Sequence, residues 1–359
     1  MLVPVLLLLA SLASLPAAQA KLVTLSNTAL PVDTSGRPLL TGETSILAYD
    51  GSYFFYVNNW GGCASVDCCP TPTGCASCCF AGPSDPCVYT ANHSVVLYST
   101  RDFASWTPHG EVLGVGDRRP GIEFRPQVVY CAATGKFLMY YEDRWSTGSN
   151  PGYALAAADS PAGPFTAVSD SVRLGGKGRV GDYDVFVDPA SGSAYHIRTG
   201  LTIQRLAANY SAAEGAAVDL PNGGVEGPAM FERAGAYYLL AGQGCCACRG
   251  GSNVLVYRGA SPSGPFALQG DVGSNRTAGH VFDAHSPYNY VTRAQQTKVV
   301  RVPDAAGGVQ YLWVGNQWVS EVGAPRNTNL LYFALLQFSS AGEVLQMDYS
   351  ENCTLSLPD

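Results

Sequence analysis

The sequence is short of charge, histidine and methionine: only 14% of its 359 residues are Asp, Glu, Lys or Arg, with five His and four Met. The 21 Lys and Arg are outnumbered by 28 Asp and Glu. With no basic excess, nucleic acid and anionic membranes are poor partners. No long stretch places apolar residues at helical spacing, which argues against a helical bundle. After the first seventeen residues there is no second long apolar run and no lipidation signal, so membrane insertion is not expected. The first run, Met1 to about Ala17, is too short to span a bilayer. It ends in Ala18-Gln19-Ala20 and reads as a signal peptide cleaved after Ala20, although only the amino terminus supplies its positive charge. The mature chain, 21–359, is therefore expected to be a soluble, secreted monomer.

What the sequence has instead is 40 Gly, 23 Pro, 20 Tyr and 12 Cys. Gly, Pro and Tyr in this proportion with little charge indicate many short strands and turns. Seven cysteines lie between Cys63 and Cys87, three form Cys245-Cys246-Ala247-Cys248, and Cys131 and Cys353 stand apart. Cys75 and Cys78 have zinc-ligand spacing, but adjacent Cys pairs behind a signal peptide suit disulfides better. Sequons at Asn92, Asn209, Asn275 and Asn352 suit the surface of a secreted glycoprotein.

Five strand-turn-strand units ending in aromatic residues recur at Ile46–Asn58, Gln127–Glu142, Asp184–Thr199, Ala229–Gly242 and Lys298–Trp318. Each is followed by a second, amphipathic hairpin: Val95–Leu113, Tyr153–Val168, Leu201–Ala213, Asn253–Gln269 and Leu330–Gln346. Five four-stranded units predict an all-β chain folded as one five-bladed β-propeller domain, with a Cys-rich loop insert over 59–93. A two-sheet sandwich is the alternative, but it gives no reason for regular pairs of hairpins. In a propeller, residues just before each inner strand converge on the axis: Glu43, Glu123 to Arg125, Asp182, Glu226 and Gln295. Four loops share that face: Asn59–His93, Asp143–Pro151, Gln243–Ser252 and Val319–Asn329. Disulfides in the first and third would either brace the pocket wall or staple each loop to itself. Aromatic faces stack on sugars, so Trp318, and less so Trp60 and Trp145, are candidate binding residues. The histidines His93, His109, His196, His280 and His285 show no metal-like pair, so no metal or cofactor is expected. His285 could at most ligate a structural cation such as calcium on the axis.

Glu226-Gly227-Pro228-Ala229-Met230-Phe231, followed by Tyr237-Tyr238-Leu239-Leu240, puts a carboxylate at the start of an apolar strand, where its pKa can be tuned for acid catalysis. With Asp182-Tyr183-Asp184-Val185-Phe186-Val187-Asp188 it resembles the fourth- and third-blade motifs of glycoside hydrolase family 43. Phe124-Arg125-Pro126-Gln127 and Ala294-Gln295-Gln296-Thr297-Lys298-Val299, the latter followed by Gly315-Asn316-Gln317-Trp318, are similar to the exo-β-1,3-galactanase branch. The resemblance implies an inverting exo-glycosidase acting on galactan or arabinogalactan, with Glu226 as general acid and Asp182 orienting it and raising its pKa. It further implies Gln295 in the place of the missing Asp base. A neutral amide is a poor base unless it tautomerises, so Glu43, ten residues ahead of Tyr53-Phe54, is the other candidate. Glu123, Arg125, Tyr183, Gln317 and Trp318 are the candidate substrate-binding residues. The branch has a binding Glu where this chain has Phe124. That departure keeps open a catalytically silent, lectin-like propeller, and behind it a disulfide-rich interaction protein.

Overall fold

A computed structural model describes residues 20–59, 94–119, 122–144, 152–221, 224–243, 251–274, 290–317 and 328–358, with side chains left aside at 122–124 and 144. The chain begins with β1 (Lys21–Ser26). Blade 1 is β2 (Gly42–Tyr49), β3 (Ser52–Asn59), β4 (Ser94–Thr100) and β5 (Thr107–Leu113). Blade 2 is β6 (Ile122–Cys131), β7 (Lys136–Arg144), β8 (Gly152–Ala158) and β9 (Thr166–Ser169). Blade 3 is β10 (Tyr183–Val187), β11 (Ala194–Arg198), β12 (Thr202–Arg205) and β13 (Val218–Asp219). Blade 4 is β14 (Glu226–Arg233), β15 (Ala236–Gly242), β16 (Leu255–Gly259) and β17 (Phe266–Asp271). Blade 5 is β18 (Gln295–Pro303), β19 (Val309–Asn316) and β20 (Leu331–Leu335), and β21 (Asn352–Leu357) ends the chain.

Each blade is an antiparallel sheet in simple meander order. The inner strands β2, β6, β10, β14 and β18 neighbour one another in turn, and β18 lies against β2. The five blades therefore close into a ring, the propeller the sequence predicts. Local chemistry makes the hairpins: Asp50-Gly51 and Ala234-Gly235 all have positive φ, from 48° to 77°, the backbone that two-residue hairpin turns require. The aromatic residues that end the hairpins tie blade to blade. The Tyr56 hydroxyl donates to Pro161 O at 2.6 Å, that of Tyr237 to Asp188 Oδ1 at 3.0 Å, and that of Tyr238 to Gly342 O at 2.5 Å. Buried Tyr hydroxyls need such partners, and here the partner lies in the next blade.

Two outer edges differ from the hairpin pattern. The second hairpin of blade 3 does not end at Ala213: Leu206 and Ala213 form only an isolated bridge, and β13 forms further on, where Thr202 Oγ1 donates to Asp219 Oδ1. In blade 5, Leu330–Gln346 supplies only β20, followed by an isolated Phe338–Val344 bridge. A ribbon of β1 paired with β21 lies against β20 instead. Asn27 fastens it, donating Nδ2 to Phe333 O at 3.0 Å and accepting Phe333 N–H at 2.7 Å. Val23, Leu25 and Leu355 of this ribbon pack into a core shared with Ile46 and Phe55 of blade 1 and Leu312 and Phe333 of blade 5. The ring is closed where the chain ends meet.

Candidate active site

The inner strands do not start straight. The ladders slip between Gly42 and Thr44, Phe124 and Gln127, Glu226 and Ala229, and Gln296 and Lys298. Glu43, Arg125 and Gly227 sit in these bulges with φ of 30°, 53° and 56°. A bulge re-aims side chains at the end of a strand. Here it turns them onto the axis. Pro228, which cannot donate to a ladder, falls inside such a bulge on an edge strand.

The bulges and strand starts bring Asp182, Glu226 and Gln295 together from blades 3, 4 and 5. The Gln295 Nε2 donates to Asp182 Oδ2 at 2.7 Å and lies 3.5 Å from Glu226 Oε2. With the amide nitrogen turned toward both carboxyl groups, the buried Oε1 is left without a partner. The Gly227 N–H also donates to Asp182 Oδ2, at 3.1 Å. On its other side, Asp182 Oδ1 is 2.7 Å from Arg125 Nε, an ion pair whose N–H is not aligned for a hydrogen bond. Arg125 is buried, and burial works against its charge; Asp182 and the neighbouring carboxyls, Glu43, Glu226 and Glu142, nevertheless hold its pKa above the usual value.

Glu43 lies behind Arg125. Its Oε2 accepts the Arg125 N–H at 3.1 Å, and burial pushes its pKa up to about 8, against the pull of Arg125 and with help from Asp182 and Glu142. Burial so strong favours the protonated carboxyl, which makes Glu43 a poor acceptor for a proton from water at neutral pH.

Several candidate residues have other occupations. Tyr183 is fully buried, stacked on His196 with centroids 5.0 Å apart, and its hydroxyl donates to Arg125 O at 2.7 Å. It supports the Arg125 bulge from within the protein. Gln317 is also buried, its Nε2 donating to Asn27 O at 2.7 Å and Leu331 O at 2.8 Å, so it belongs to the terminal ribbon and not to the pocket. Arg125 clamps Asp182 from below. Glu123 pairs with Asp143 through the backbone, and its side chain lies outside the described residues, as do Trp318, Trp60, Trp145, His285 and the ten clustered cysteines. Cys131 and Cys353 are buried free thiols. Among the described residues, no group of three or more His, Cys, Asp or Glu gathers to hold a metal.

Three contributors carried no signal of their own in the sequence. Gln296 donates its Nε2 to Gly227 O and accepts the Trp313 indole N–H at 3.2 Å, locking the Glu226 bulge to blade 5. Glu142, at the end of β7, is a buried carboxyl acting on both Glu43 and Arg125. Further down the axis the Lys298 ammonium meets Asp184 Oδ1, with Val185 O at 3.2 Å and Gln127 Oε1 at 3.5 Å. Beneath it the axis widens into a cavity of about 320 Å³ lined by residues such as Ile46, Val128, Val185, Met230 and Val299. That apolar space lies beyond the Lys298–Asp184 pair from Glu226.

A carboxyl from blade 4, a second from blade 3 and an amide from blade 5 at one axial point can deliver a proton to a bound molecule. Over residues 84–323, about two thirds of the chain, the sequence matches the model of glycosyl hydrolases family 43. The chain belongs to that family. It is a glycoside hydrolase by this membership. No curated protein matches the sequence. Among solved structures, a family 43 β-1,3-galactosidase with galactodeoxynojirimycin is similar at TM-score 0.68 and 21% identity, over 91% of this chain and 99% of that one. An exo-β-1,3-galactanase from Clostridium thermocellum gives 0.67 and 22%, over 92% of this chain and 66% of that one. One from Phanerochaete chrysosporium with galactose gives 0.67 and 18%, over 92% and 68%. The chain thus spans about two thirds of those galactanases, and at such identities the likeness is one of fold.

Proposed function

We propose that this glycoside hydrolase is a secreted enzyme that removes sugars from the end of β-1,3-linked galactan or arabinogalactan-type chains with inversion. The observation that carries it is the Glu226–Gln295–Asp182 cluster, the set of groups the galactanase-like motifs imply, gathered from three blades at one point. Glu226 donates a proton to the glycosidic oxygen as the C–O bond breaks. Asp182, paired with Arg125 and accepting the Gly227 N–H, keeps the acid oriented. A water on the opposite face attacks the anomeric carbon and gives up a proton to the base. Of the two base candidates, Gln295 stands on the pocket side of Arg125 and Glu43 behind it, which favours Gln295 acting through its imidic tautomer, with the nitrogen as acceptor.

Inversion needs roughly 6.5–9.5 Å between acid and base, to admit sugar and water. Gln295 Nε2 lies 3.5 Å from Glu226 Oε2, so this pathway needs the two side chains to separate when sugar and water are bound between them. The test is hydrolysis of β-1,3-galactan, with the anomer of the first product read by NMR. Wild type should release galactose as the inverted anomer. Glu226→Gln and Gln295→Ala should each lose 10²-fold or more, the usual scale of general acid–base catalysis. If wild type binds galactan but cleaves no galactan, arabinan or xylan oligosaccharide, this reading gives way to a lectin-like one.

A further inference from the structure

The connection from blade 2 to blade 3 runs over the catalytic face from Val172 to Asp182 and is built as a rigid strap. The Arg198 Nε donates to Gly178 O at 3.1 Å and its Nη2 donates to Gly175 O. The Gly178 N–H donates to Thr202 Oγ1 at 2.8 Å, and the Lys177 N–H to Asp219 Oδ1 at 2.9 Å. The chain hugs blade 3 so closely that a Cβ at Gly176 would stand 2.6 Å from Thr202 Cγ2, and one at Gly178 would stand 2.7 Å from Thr202 Oγ1. The strap ends at the chemistry. The Arg179 N–H donates to Thr199 O, the Thr199 N–H donates to Asp182 O, and Gly200 N–H donates to Val225 O, next to Glu226.

This strap carries a charge unlike the rest of the molecule. Arg173, Lys177 and Arg179 are all exposed, and the acidic residues nearest in sequence flank them: Asp170, which acts on Arg119, and Asp182, which is paired with Arg125. Three cations in seven residues stand out in a chain with 21 Lys and Arg in 359 and a net charge of −7. Asp219, the carboxylate that touches the strap, is occupied by the Thr202 hydroxyl as well as the Lys177 N–H, and answers only part of this charge. A negatively charged substrate would be repelled by most of this surface and drawn to the strap.

We propose that Arg173, Lys177 and Arg179 form a cationic subsite on the catalytic face that selects galactan bearing anionic substituents, carboxylate or sulfate, near the chain end. The inference rests on the glycosidase reading for the identity of the sugar, but its test is binding and so stands apart from turnover. Affinities of the full chain carrying Glu226→Gln would be measured by calorimetry at low salt. The ligands are a neutral β-1,3-galacto-oligosaccharide, one bearing a uronic acid and one bearing a sulfate ester. Each exposed charge contact contributes up to about fivefold, so a preference of about tenfold or more for an anionic ligand is expected, falling with added salt. Adding Arg173→Ala, Lys177→Ala and Arg179→Ala should abolish that preference while leaving neutral affinity within about twofold; Arg173→Lys with Arg179→Lys should keep it. The ratio of the uronic to the sulfated ligand names the substituent. Equal affinities for all three ligands, or a preference that survives the triple substitution, would overturn the proposal. Failure of wild type to cleave neutral galactan would count against the proposed function alone.

Discussion

Replacing Glu43 by Gln should stabilise the protein increasingly as pH rises. In the folded chain the Glu43 carboxyl is held at about 8 by burial, from an ordinary 4.5. Below pH 4.5 both the folded and the unfolded chain hold the proton, and the group makes no pH-dependent difference. Between 4.5 and 8 the unfolded chain releases it while the folded chain keeps it, so stability is lost at up to about 1.4 kcal/mol per pH unit. By pH 8 the loss reaches on the order of 4–5 kcal/mol, and above that it levels off. Gln is close in shape to the protonated carboxyl, can accept the Arg125 N–H and does not titrate. Urea unfolding of wild type and Glu43→Gln at pH 4.5, 6 and 8 reads the difference directly. Apart from a constant offset the two should coincide at pH 4.5 and separate by several kcal/mol at pH 8, with the variant the more stable. Parallel pH profiles would refute the reasoning, because they would mean that Glu43 is ionised in the folded state. Activity is the second readout: the variant should stay within about tenfold of wild type at pH 6, whereas loss of a true base would cost 10²-fold or more.

Two further changes test the axis and the ring closure. Lys298→Met leaves Asp184 buried without its cation and should cost about 3–5 kcal/mol in chemical unfolding, with Lys298→Met plus Asp184→Asn recovering much of it. Asn27→Ala removes both hydrogen bonds to Phe333 and should cost about 1–3 kcal/mol. It should also speed hydrogen exchange in β1, β20 and β21 before the other blades.

Much of the fold was legible because it is local. Asp50-Gly51 and Ala234-Gly235 specify their turns by backbone preference alone, and alternating apolar residues mark the flanking strands. Ser160–Phe165 and Ser261–Phe266 give the same turn in blades 2 and 4, both with a cis Gly–Pro bond. The outer edges were not legible, because β13 depends on Thr202 meeting Asp219, and β20 is backed by strands from the two ends of the chain. In the site, Glu226, Asp182 and Gln295 could be picked out from their place before inner strands. Tyr183, the first residue of an inner strand, and Gln317, just past the second strand of blade 5, are buried by partners from other parts of the ring, His196 and Arg125 O for the first and Asn27 O for the second, which spacing does not encode.

By itself the sequence determined the number of blades, the face on which the strand starts converge and the residues that could act there, since these follow from turn chemistry and strand period. Only the tertiary structure decided which charges meet. Glu43 and Arg125 are 82 residues apart, and Gln295 lies 113 from Asp182. Whether a carboxyl is a base, an acid or a buried neutral support depends on the partners and burial that closing the ring imposes.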